Sequence, residues 1–169
     1  MNVYDPMCAP DPQDWLALDD AARLALVYEY HRTAGLPLPS DSLHAACHVM
    51  VETQLATNQP AFVRPALERL MQEGLDRSAA INAICMVLSW SLCAAEDEDR
   101  TLIESWYEQD LNEISAEAYR VHCKHVSLPE YDELLDTEKL LKVLDELGSS
   151  DDSDELEGLE DLEEPAGRD

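Results

Sequence analysis

The sequence predicts an all-α fold, a single compact domain of five to seven short helices followed by a disordered acidic C-terminal tail. Three observations predict it. Apolar residues between position 14 and about position 146 recur every three or four residues, as in helices that bury one face. The connections between these patterns are short and marked by Pro, Gly or Asn, and no stretch alternates as a half-buried strand would. With 169 residues, 46% of them hydrophobic, the chain can build one domain with a substantial core. The expected organisation is an extended N-terminal arm over 1–13, a helical domain over 14–148 and the acidic tail over 149–169.

Pro6, Pro10 and Pro12 extend the arm, and Tyr4 is the residue able to pin it. Trp15, Leu18, Ala22, Leu26 and Tyr30 then step by three or four, and Gly35, Pro37 and Pro39 stop this first helix near Ala34. Ser40 or Asp41 is placed to cap the second helix, in which Leu43, Ala46, Cys47 and Met50 cluster on one side, with Val51 and Leu55 at its edge. Asn58 and Pro60 break that pattern. The third helix runs through Val63, Leu67, Leu70 and Met71, with Pro65 near its first turn and Gly74 as its stop. Asp76 caps a fourth, where Ile81, Ile84, Cys85, Leu88 and Leu92 form the strongest stripe and Ala79, Ala80 and Ala83 permit close approach of a neighbour, so it is the expected central helix. Leu102, Trp106, Leu111 and Ile114 give an acidic helix its apolar side. Tyr119, His122, Val126 and Leu128 continue toward Pro129, and 131–147 reads as a last short helix. Residues 151–169 hold ten acids and one Arg, too little apolar surface to offset the entropy of ordering them.

Charge bounds the partners. Eleven Lys and Arg against 37 Asp and Glu leave a net charge of −26, which argues against direct nucleic-acid binding and against an anionic membrane surface. A basic protein surface is the expected partner. Cys8, Cys47, Cys85, Cys93 and Cys123 form no C-x-x-C pair and read as free thiols in a reducing compartment. The N-terminus lacks the basic and apolar regions of a signal peptide, and no apolar run reaches the ~20 residues that span a bilayer, so a cytoplasmic location is expected.

The chemistry-bearing stretch is LHAACHVMVETQLATN, in which His44, His48 and Glu52 fall at i, i+4 and i+8 and form a ladder on one flank of a helix. Two imidazoles one turn apart can chelate a divalent ion, and Glu52 could supply an oxygen or orient a ring. The same pattern arises at a core edge, where the rings are hydrogen-bonded to carboxylates or backbone, and a metal site needs at least three ligands. His122, Cys123 and His125 have ligand chemistry but no second cluster, and read as exposed helix residues. Cys47 and His48, as helix neighbours, point about 100° apart and make no dyad. None of the five glycines sits in a phosphate-binding loop.

LHAACHVMVETQLA, PAFVRPALERLMQEGLDR and the following Ala80, Ile81, Ala83 and Ile84 together resemble a bacterial family, domain of unknown function 1841, over about Tyr28 to Leu92. The resemblance implies a helical fold and a metal site built from two His pairs, the second just after LDR. At that place this chain has Ser78, Ala79 and Asn82. Ser78 and Asn82 lie on the flank of the Ile81 stripe as His44 and His48 lie on theirs, so the four are expected to share a polar pocket. Asn82 is a poor transition-metal ligand and Ser78 a poorer one. The function expected is that of a non-catalytic acidic helical protein that binds a basic partner and holds no cofactor. The alternative is a protein or enzyme that binds a divalent transition metal through His44, His48 and Glu52.

Overall fold

The computed structural model describes residues 3–34, 41–94 and 100–125, and among them it contains seven helices and no strand. The first, α1 (Pro12–Leu16), starts where the Asp11 carboxylate accepts the amides of Gln13 (2.9 Å) and Asp14 (3.2 Å), with Pro12 at the first helical position. The continuous helix expected from Trp15 to Ala34 is in fact two. Asp19 caps α2 (Asp20–Ala34) by accepting the Ala22 amide at 2.7 Å, and Arg23 folds back to donate to the carbonyls of Trp15 (3.1 Å) and Leu16 (3.2 Å). The break resets the helical phase. Val27 and His31 become the buried residues of α2, while Leu18, Ala22, Leu26 and Tyr30 are only half-buried.

Helix α3 (Asp41–Thr57) is buried on every side from Ala45 to Glu52. It separates two apolar clusters. Ala46, Cys47, Met50, Val51 and Leu55 pack with α4 (Val63–Gln72), α5 (Arg77–Ala94) and α6 (Arg100–Glu113), while Ala45 and Val49 pack with Tyr4, Trp15 and Val27. A helix apolar around its whole circumference belongs in an interior. The centre is therefore shared by α3 and α5, rather than held by α5 alone. Trp15 is fully buried and donates its indole N–H to Thr53 Oγ1 at 3.0 Å, which fixes α1 against α3.

Helix α4 ends as its sequence suggested. Gly74 has φ +94°, Leu75 N–H bonds the Leu70 carbonyl (3.2 Å) and Gly74 N–H bonds that of Met71 (3.0 Å), the paired closure of a left-handed helix stop. Gly74→Ala forces a Cβ into this backbone and to 3.4 Å from the Arg120 guanidinium, which itself donates to the Gly74 carbonyl. The expected cost is about 1 kcal/mol, read as a lower urea midpoint with an unchanged slope. Asp76 caps α5 by accepting the Ala79 amide at 2.8 Å.

Tyr107, not Trp106, is the buried aromatic of α6, and its hydroxyl donates to Gln54 Oε1 at 3.0 Å while Trp106 stays half-buried. A turn at Ile114 and Ser115 leads into α7 (Ala116–His125), whose Ala118 amide is capped by Ser115 Oγ. Arg69 binds the carbonyls of Leu111 and Ile114 while Glu73 accepts the Ala116 amide, so α4 holds this corner from both sides. The helix expected over 131–147, the acidic tail and the capping role of Ser40 lie outside the described residues. No helix among the described residues is long and apolar enough to cross a membrane.

Candidate metal centre

Three imidazoles converge where α2 meets α3. His48 sits in the fully buried middle of α3, His44 is one turn earlier and half-buried, and His31 arrives from the last turn of α2. The ring centroids are 4.7 Å apart for His31 and His44, 4.8 Å for His31 and His48, and 4.7 Å for His44 and His48. One ring nitrogen from each lies within 4.8 Å of the other two. His31 was not among the residues the sequence pattern singled out, because a wheel drawn from Trp15 without the break at Asp19 puts Tyr30 on the inner face.

Around this triangle runs a chain of polar contacts. His48 Nε2 lies 2.8 Å from Asn82 Oδ1 on α5, and the Asn82 side chain also acts on His44, favouring its protonated form. His48 Nδ1 lies 3.0 Å from the hydroxyl of Tyr4, which in turn donates to Glu52 Oε1 at 3.0 Å. Both Glu52 oxygens face Arg77, at 2.8 Å from Nη1 and 2.7 Å from Nη2. Arg77 Nη1 also donates to the Pro6 carbonyl at 2.8 Å, so the same guanidinium holds the N-terminal arm in place. Glu52 thus stands outside the imidazole triangle and supports it through Tyr4. Ser78 is half-buried one turn before Asn82, and the contact with His48 runs through Asn82. At the far end of the fold, His122 packs edge-on against Trp90 with ring centroids 5.4 Å apart, and Cys123 is exposed.

The electrostatics favour neutral rings. Burial, then the neighbouring His31, lowers the pKa of His44 to about 4, with Asn82 partly opposing. Burial, then His44, lowers that of His48 to about 3, again against Asn82. Tyr4 is pushed well up by burial and by the Glu52 carboxylate, so its hydroxyl keeps its proton and donates it. Burial acts to lower the pKa of Arg77, but Glu52 outweighs it and the guanidinium stays charged. Neutral imidazoles are the form that ligates metal.

A pH dependence follows for the metal-free protein. The groups facing His44 and His48 are His31 from α2, Tyr4 from the arm, Glu52 on α3, and Asn82 and Arg77 from α5. In the unfolded chain both histidines titrate near 6.5. Below that pH the unfolded state takes up protons that the native state refuses, so stability is full above about 6.5 and falls as pH drops toward 4 and then 3. The slope is up to about 1.4 kcal/mol per pH unit for each histidine. Urea unfolding in chelator at pH 7, 6 and 5 reads it, and His44→Asn with His48→Asn should flatten the slope by removing these two terms.

Comparison of the chain with family models, with curated proteins and with solved structures finds no match. What the centre can do rests on its own geometry.

Proposed function

We propose that the chain is a transition-metal-binding protein in which His31, His44 and His48 are the ligands. The observation that carries this reading is the convergence of three imidazoles from two helices, with one nitrogen of each within 4.8 Å of the others. Nitrogens around a bound ion stand roughly 3.0–3.4 Å apart for bonds of about 2.0–2.1 Å, so loading draws the rings together by a small side-chain adjustment. An all-imidazole set suits Zn, Cu, Ni, Co or Fe rather than Mg or Ca. Three protein ligands also leave a coordination position for water or a small molecule, and half-buried His44 marks the edge from which it would enter.

This reading replaces the His44, His48 and Glu52 ladder with a triangle closed by His31, Glu52 serving as support. Membership of the family that Tyr28 to Leu92 resembles, domain of unknown function 1841, belongs to the same proposal. Zn(II) competition against a chromophoric chelator tests it. Wild-type protein should take up one equivalent, His44→Ala should lose tight uptake, and His122→Ala should keep it. Equal uptake by all three proteins would sink the assignment.

Binding of a basic protein surface is a second and compatible proposal. It is supported by the net charge of −26 and by Glu104, Glu108, Glu113 and Glu117, all exposed on α6 and α7, which carry no member of the imidazole cluster. Such binding should weaken steeply between low and physiological salt, where the Debye length is about 8 Å.

A further inference from the structure

The contacts of His48 do not balance in protons. Three short contacts run in series, from Asn82 Oδ1 to His48 Nε2, from His48 Nδ1 to the Tyr4 hydroxyl, and from that hydroxyl to Glu52 Oε1. Three hydrogen bonds need three protons. A neutral imidazole supplies one and a phenol supplies one, whereas a carbonyl oxygen and a carboxylate supply none. The Tyr4 proton goes to Glu52, whose other oxygen is held by Arg77. His48 Nδ1–H must then donate to the Tyr4 oxygen, and the lone pair on Nε2 faces the lone pairs of Asn82 Oδ1 at 2.8 Å.

Two lone pairs at that distance repel unless something positive lies between or beside them or the Asn82 amide turns to present its N–H. A second proton on His48 would serve, but it would leave a cation at 0% exposure packed against two other imidazoles, with no carboxylate of the described residues in contact. A metal ion bears a burial cost as well but offsets it with coordinate bonds, since Nε2 and Oδ1 can both bind it alongside the other imidazoles. We infer that Asn82 is a fourth ligand, its amide oxygen completing an N3O donor set with His31, His44 and His48. The inference rests on the three-histidine reading and deepens it.

Two ligand atoms on one ion with bonds of about 2.1 Å stand roughly 3.0–3.4 Å apart, so the 2.8 Å between Nε2 and Oδ1 opens only a little for the pair to share an ion. An amide oxygen is a weak ligand by itself. Here α5 holds it against His48, so little ordering remains to oppose its binding.

The same chain of contacts gives Tyr4 and Glu52 a positioning role. By accepting the Nδ1–H hydrogen bond, the Tyr4 hydroxyl, itself fixed by Glu52, commits Nε2 of His48 to the ion, and losses of such supporting partners weaken metal binding ~10–100-fold.

Co(II) titration followed by visible absorption is the test, on the full chain and on Asn82→Ala, Asn82→Asp and Tyr4→Phe. Asn82→Ala should weaken binding about tenfold or more, and Tyr4→Phe should do so by a factor in the supporting-partner range. Asn82→Asp should tighten binding about tenfold, because a carboxylate is the better oxygen donor. The visible absorption of protein-bound Co(II) should appear in the wild type and saturate at one equivalent. Because tightening cannot come from damage to the fold, Asn82→Asp keeps the test independent of stability. Weaker binding by Asn82→Asp, or unchanged binding by Asn82→Ala, would mean that the amide is turned to donate its N–H to His48 and is no ligand. That result overturns the fourth ligand while leaving the three histidines standing. A wild-type protein that takes up no Co(II) overturns both.

Discussion

Replacing Arg77 with methionine is expected to cost about 3–5 kcal/mol of stability, the range found when one partner of a buried ion pair is removed. Glu52 is 2% exposed, and without Arg77 only the Tyr4 hydroxyl remains of the donors that face its carboxylate here. The arm also loses its tie at the Pro6 carbonyl. The double change Glu52→Gln with Arg77→Met should recover a large part of the loss, because no uncompensated charge is then left inside. Urea midpoints of the wild type, both single variants and the double variant measure the coupling. A loss under about 1 kcal/mol for Arg77→Met would show that water reaches the pair.

Replacing His31 with alanine is expected to abolish tight metal uptake. The loss should exceed the ~10–100-fold that a merely supporting residue costs, since the two imidazoles that remain are joined by no third nitrogen, and the amide oxygen of Asn82 is too weak a donor to replace one. His31 is small enough, and near enough to the exposed end of α2, that the fold should survive its truncation with only the ordinary cost of a buried cavity. Competition titration reads the affinity and circular dichroism the helix content. If His31→Ala bound metal as the wild type does, the triangle would not be the site.

Much of the fold was legible because helix periodicity and cap chemistry are local. Asp76 at the start of α5 and Gly74 at the end of α4 are readable from one residue and its neighbours, and both perform those roles in three dimensions. The wheel also put Asn82 on the flank of one stripe and His48 on the flank of another, and the two lie 2.8 Å apart. What could not be read depends on contacts between distant segments. Asp19 interrupts a pattern that reads smoothly from Trp15 to Tyr30, and that interruption alone turns His31 inward. Arg77 opens a helix, where a basic residue is disfavoured by the helix dipole and reads as solvent-exposed. Its partner Glu52 lies 25 residues earlier, and nothing local marks the pair. Tyr4 was recognisable as an anchor of the arm, but its bond to His48 joins positions 44 residues apart.

A long-range proton–nitrogen NMR spectrum of the imidazoles, recorded as Zn(II) is added, tests the metal centre most directly. It reports each histidine's tautomer and ligation separately. The expected result is that His31, His44 and His48 shift together and saturate at one equivalent, with His48 protonated at Nδ1 throughout, while His122 and His125 stay where they were. Saturation of His122 and His125 instead, or no shift of His31, His44 and His48 as the first equivalent is added, would contradict it.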